Sequence, residues 1–169
     1  MELLFYYGVP LLVANILHQF AVVRHNLFAW LAIPLDRGIQ LCGQPLFGPH
    51  KTVRGLFVVS LAALMVAAMG TSLWGNFSLS GMGAVGMVAF AYMLGELPNS
   101  FVKRRLGVAP GVSGRGAAGL VFSLVDHSDS VLAAAAAIYM LEHPPLSQLV
   151  LFIGAGVAAH IAVNAVLRH

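Results

Sequence analysis

"GELPNSFVKRRLGV", Gly95 to Val108, decides how this chain is read. It sets Glu96 and then Lys103, Arg104 and Arg105 directly behind a long apolar run. The chain around it is 59% hydrophobic and only 9% charged, whereas a soluble domain carries about 25% charged residues. An integral membrane protein is therefore expected, with the charge of Gly95–Val108 standing where a span meets water. The net charge of +3 is too small to point to nucleic acid, so its placement matters more than its size.

Working outward from that stretch, five segments are apolar and long enough for a membrane-spanning helix of about 20 residues. They run from Leu3 to Val23, Leu56 to Trp74, Gly81 to Leu97, Ala117 to Leu141 and Leu146 to Leu167. Arg24, Arg37, Lys51 and Arg54 fall between the first and second. Lys103, Arg104, Arg105 and Arg115 fall between the third and fourth, and Arg168 follows the fifth. The two other connections carry no Lys or Arg. All nine basic residues thus share one side, which the positive-inside rule makes cytoplasmic. The expected fold is a single all-α membrane domain over 1–169, with the N-terminus outside and the C-terminus cytoplasmic. Two long cytoplasmic loops and two minimal outer turns complete it, in a multi-pass protein of the cell (inner) membrane. Glu2 leads the first apolar run where a leader peptide is basic, so no cleavable leader is expected. Cys42, the single cysteine, excludes an intrachain disulfide framework. A cysteine placed at position 78 or 143 should react with an impermeant reagent from outside, and one at 110 should not. Labelling at 110 from the outer face would overturn the topology.

Both long connections are basic. The first contains "NLFAWLAIPL", too short to span and read as an interfacial or re-entrant segment with Trp30 near the headgroups. It ends in "GPHKTVRGL", which puts Lys51 and Arg54 on one side of a helix start, where backbone N–H groups also favour an anion. Plain snorkelling anchors would look the same. "SFVKRR" likewise suits an anchor or an anionic headgroup site, and Glu96 beside it is costly near a span end unless it is paired. In "VDHSD", Asp126 and Asp129 are three apart and share a helix face. Two carboxylates at membrane depth need a cation, either a protein base or a metal such as Mg²⁺, which keeps waters and bridges to phosphates. "GMGAVG", Gly81 to Gly86, matches a dinucleotide fingerprint only literally, because it lies inside a span with no strand before it. Those glycines, like the small residues of Ala133–Ala137 and Gly154–Ala159, read as close helix packing. Asn15 and His18 in the first span read as bonded to a neighbouring helix.

"IPLDRGIQLCGQPLFGPHKTVRGL" resembles the CDP-archaeol synthase family. There a Pro-hydrophobic-Asp element precedes Gly-x-Lys-Thr-x-Arg-Gly at the start of the second span. "GELPNSFVKRRLGV" is similar to the family's Gly-Asp-x-x-x-Ser-Phe-x-Lys-Arg-Arg, and "VDHSD" to its Leu-Asp-x-x-Asp. His50 and Glu96 stand where that family usually has Gly and Asp. Phosphatidate cytidylyltransferases share the Ser-x-x-Lys-Arg core more distantly. The resemblance implies cytidylyl transfer from CTP to a lipid phosphate, archaetidic-acid-like or phosphatidic-acid-like, with Mg²⁺ and release of pyrophosphate. It implies catalytic roles for Lys51, Arg54, Ser100, Lys103 and Arg104, and substrate contacts for Asp36, Thr52 and Arg105. Asp126 and Asp129, with Glu96, would hold the metal. A small ion transporter remains open, as does an inactive relative that binds lipid or serves a structural role.

Overall fold

The computed structural model describes residues 2–74, 78–112 and 116–167, so Arg115 and Arg168 lie outside the described residues. Helix α1 (Val9–His18) is flanked by π-helical turns at Leu4–Gly8 and Gln19–Arg24, which extend it into one span. Helix α2 covers Val53–Trp74 and α3 covers Leu79–Leu94; α4 (Glu96–Arg105) continues from α3, followed by α5 (Gly116–Glu142) and α6 (Leu146–Leu167). Among the described residues, five helical runs are long and apolar enough to cross a membrane: Leu4–Arg24, Val53–Gly70, Leu79–Arg105, Gly119–Glu142 and Leu146–Val166.

The third run differs from expectation. Its helix does not stop near Leu97 but continues to Arg105, so "SFVKRR" is helical rather than part of a loop. Pro98 permits this because it falls in the first turn of α4, where a missing N–H costs least. Helical spacing then turns Ser100, Lys103 and Arg104 inward together, leaving them only 8%, 7% and 4% exposed. The charge at Gly95–Val108 is thus carried into the bundle instead of sitting at its rim.

The core lies between α1, α2, α3 and α5 and is built largely from small residues. Ala14, Ala63, Ala67, Ala89 and Ala134 are fully enclosed beside Val88 and Ile138. Small side chains let helices approach closely where lipid offers no hydrophobic drive to associate. Gly86 follows the same rule, since a Cβ there would come within 3.1 Å of Leu64. At one end Ser78 accepts the Gly81 N–H and caps α3, and Tyr7 hydrogen-bonds Glu142. The N-terminal segment and both short connections meet there.

At the other end the first long connection is ordered around Asp36. Its carboxylate accepts the N–H groups of Gly38, Phe47 and Gly48, each at 3.0 Å. Burial pushes this carboxyl upward, but the three donors outweigh it and hold it below the usual carboxylate range. A two-residue turn at Cys42 and Gly43, both at positive φ, joins β1 (Gln40–Leu41) to β2 (Gln44–Pro45). Arg105, at the end of α4, pins that hairpin by donating to the carbonyls of Leu41, Gln44 (3.0 Å) and Pro45 (2.7 Å). Trp30 is 73% exposed beside exposed Leu27, Phe28 and Ile33, as an interfacial segment requires.

Candidate active site

A cavity of about 330 Å³ opens where the two long connections meet the helix ends. Four elements bring chemistry to it. The residues leading into α2 supply His50 and Lys51, and α4 supplies Glu96, Asn99, Ser100, Lys103 and Arg104. Helix α5 supplies Asp126 and Asp129, and α6 supplies His160 and Asn164. Gly95 makes the approach of α4 to α5 possible, because a Cβ there would lie 2.5 Å from the Ala133 Cβ and 2.7 Å from the Asp129 carbonyl.

The charges are arranged in a way that sequence could not give. Lys51, just before α2, pairs with Glu96 at the start of α4. Lys103 pairs with Asp126, its Nζ 2.6 Å from Oδ2. Asn99 spans the aspartates, its amide nitrogen 2.6 Å from Asp126 Oδ1 and 3.0 Å from Asp129 Oδ2. Ser130 donates its N–H to Asp129 Oδ1 at 2.7 Å, and its hydroxyl lies 3.2 Å from Glu96. Two charged groups remain. Asp129 has no ion-pair partner among the described residues. Arg104 is buried, yet its Nε and Nη1 have no hydrogen-bond partner among them. A guanidinium held dry without an acceptor is costly, and an anion in the cavity would relieve it.

Lys51, Ser100, Lys103, Arg104, Glu96, Asp126 and Asp129 therefore share one cavity, as the sequence motifs imply. Four other expected site residues are placed elsewhere. Arg54 reaches outward, with Nη1 2.6 Å from Asn26 Oδ1 and 3.3 Å from the Leu27 carbonyl. Arg105 and Asp36 order the hairpin and its loop. Thr52 accepts the Gly55 N–H at 3.4 Å and lines an adjoining pocket with His18 and Tyr92. Asn99, His160 and Asn164 join the site without having been singled out. His160 and Asn164 are one helical turn apart on a span that is otherwise apolar beyond Gln148, and that spacing was the available signal.

A metal ion can be tested against this donor set. Among the described residues no three His, Cys, Asp or Glu side chains converge to hold an ion by themselves. Mg²⁺ does not need that, because it takes one or two carboxylates and completes its shell with water and phosphate oxygens. Asp126 and Asp129, linked through one amide, fit such a role. Glu96 is committed to Lys51.

Known proteins similar to this chain point to one family. The family model described as CarS-like, CDP-archaeol synthase, matches residues 2–168. The CDP-archaeol synthase of Hyperthermus butylicus is 34% identical over 115 residues, 68% of this chain and 64% of that protein. The CDP-archaeol synthase of Halobacterium salinarum is 35% identical over 111 residues, 61% of this chain and 57% of its own length. The aligned part thus spans less than two thirds of each relative. A solved structure of an intramembrane enzyme for archaeal membrane lipid biosynthesis superposes with a TM-score of 0.70 at 27% identity. That match covers 95% of this chain and 92% of the solved one. With a match that runs almost end to end, the chain belongs to the CarS-like, CDP-archaeol synthase family.

Proposed function

We propose that this protein transfers the cytidylyl group of CTP to the phosphate of a membrane lipid. The observation that carries this reading is the buried, unpartnered Arg104 guanidinium in a cavity that also holds two linked aspartates. An oxygen of the lipid phosphate attacks the α-phosphorus of CTP. The bond from that phosphorus to the bridging oxygen breaks, and pyrophosphate leaves with the electron pair. Transfers of this type depend on positioning and charge neutralisation more than on covalent help. Arg104 binds phosphate oxygens through the donors it does not use within the protein. Lys51 and Lys103 each keep at least one N–H beyond their carboxylate partners, because an ammonium has three. Ser100, one helical turn before Lys103 on α4, offers a hydroxyl. Asp126 and Asp129 would hold Mg²⁺, which when bound supplies charge neutralisation on the triphosphate. Relatives named for CDP-archaeol favour an archaetidic-acid-like acceptor over a phosphatidic-acid-like one. The cytoplasmic orientation set by the basic residues would give the cavity access to CTP.

A transport role is less well supported. Between the aspartates and Glu142, α5 places Ala134 and Ile138 fully buried in the apolar core, with no charged side chain between Asp129 and Glu142.

Arg104→Ala tests the reading against a mere anchor. A lost charged hydrogen bond costs about 1.5–3 kcal/mol, so turnover of CTP with a lipid phosphate should fall roughly tenfold to a hundredfold. Thermal stability of the nucleotide-free protein should hold or rise, since an uncompensated buried charge is removed. Lys103 and Arg105 remain, so topology should not change. Full turnover in this variant on every lipid phosphate the parent accepts would exclude the assignment.

A further inference from the structure

Beside the polar cavity lies a second cavity of different character, about 220 Å³, between the first span and α6. Leu4, Gly8 and Leu11 form one wall, and Phe152, Gly156 and Ala159 the other. Val9 and Leu12 also line it and are 43% and 37% exposed, so the cleft reaches the lipid-facing seam between these helices. Close packing shapes it, since a Cβ on Gly156 would lie 2.8 Å from Val131. Its walls are hydrocarbon except at one place, where Asn15, Tyr92 and His160 meet.

Asn15 and Tyr92 satisfy one another, the amide donating to the phenol oxygen at 2.9 Å. His160 is different. Its ring is steadied by the edge of His127, with centroids 5.6 Å apart, and by Tyr92 at 6.4 Å. Yet Nδ1 is buried with no partner among the described residues. His160 also lines the apolar cleft, the adjoining pocket and the aspartate–arginine cavity. A histidine serving only the core would have its buried nitrogens bonded.

Resting on the transferase reading, we propose that His160 positions the acceptor lipid phosphate where the apolar cleft opens into the polar cavity. A hydrocarbon chain of that lipid lies in the cleft. The occupant follows from chemistry. A hydrocarbon slot that ends at an unpaired imidazole nitrogen and then at Arg104 matches a phosphate monoester on a long-chain lipid. CTP has no part that suits the slot.

The test measures KM separately for CTP and for lipid phosphates of short and long chain, in detergent, for the parent and three variants. His160→Ala should raise the lipid KM about tenfold while the CTP KM stays within about twofold, the cost of one hydrogen bond. His160→Gln, which can still bond the phosphate, should recover part of the loss. Ala159→Phe should raise the KM for the long chain more than for the short one. Equal rises in both KM values for His160→Ala would mean a structural role and overturn the inference. So would no change in either, or a Gln variant no better than Ala. Equal effects of Ala159→Phe on both chain lengths would remove the chain from the cleft. If the parent turns over no lipid phosphate, the transferase reading falls and this inference with it. A parent that is active with variants that show no split overturns this inference alone.

Discussion

Asp129→Asn should lower CTP turnover at least about a hundredfold and abolish Mg²⁺-dependent nucleotide binding, while the bundle stays folded. The loss is of the size seen when one preorganised electrostatic partner of a reacting charge is removed. Asp129 is a better probe than Asp126. Removing the Asp126 charge would strand Lys103, whose side chain is only 8% exposed and whose ion pair is with that carboxylate. A stranded charge destabilises, so activity and folding would fall together. Asp129 neutralises no base among the described residues. Its Oδ1 accepts the Ser130 N–H at 2.7 Å, and an asparagine oxygen can do the same. The substitution therefore removes the charge and the acceptor that takes the Asn99 amide at 3.0 Å, while Asn99 keeps its bond to Asp126 at 2.6 Å. Titration of CTP with and without Mg²⁺, beside a melting curve, separates the outcomes. Near-parental turnover, or Mg²⁺-dependent binding that persists, would exclude Asp129 as a metal ligand.

The five spans were legible because each is a long apolar run and the basic residues gather at or beyond alternate span ends. The boundary of the third was not. Glu96, Pro98 and Asn99 break the hydropathy, yet the helix continues because Pro98 occupies its first turn and Glu96 finds Lys51. Local polarity cannot reveal a partner 45 residues away. The same limit explains the site. The motifs named Lys51, Lys103, Arg104 and the aspartates, and the fold brings them together. No motif distinguishes Arg104, left without a partner, from Arg105, whose donors go to hairpin carbonyls one residue along the same helix. That difference is the 100° turn between successive helical positions. Asp36 shows the reverse case, a motif carboxylate whose work is to order the loop carrying Phe47 to the cavity wall. His160 and Asn164 were overlooked because the small residues before them read as packing, although two polar groups one turn apart inside a span are rare without a reason.

Gly95→Ala should cost activity out of proportion to its size. The glycine sits where α3 passes into α4, at ordinary helical angles, so the change introduces no backbone strain. The obstacle is α5. An added methyl would stand 2.5 Å from the Ala133 Cβ, 2.7 Å from the Asp129 carbonyl and 3.1 Å from the Ser130 Cα. None of these is the end of a flexible side chain, so the helices themselves must separate. Overpacking of this kind costs about 1–3 kcal/mol in stability. The separation falls at the level where Asn99 and Lys103 of α4 reach Asp126 and Asp129 of α5. A displacement of about 1 Å between positioned groups can cost about a hundredfold in rate, so turnover should fall by that order while the melting temperature drops by several degrees. The mechanism predicts its own suppressor. Ala133→Gly removes the nearest clash but leaves the Asp129 carbonyl in place, so adding it to Gly95→Ala should restore part of the stability and part of the turnover. A double-mutant cycle in both quantities measures that coupling. Parental turnover in Gly95→Ala would show that α4 and α5 need not approach this closely for catalysis. A double variant no better than Gly95→Ala would show that the loss does not arise at Ala133.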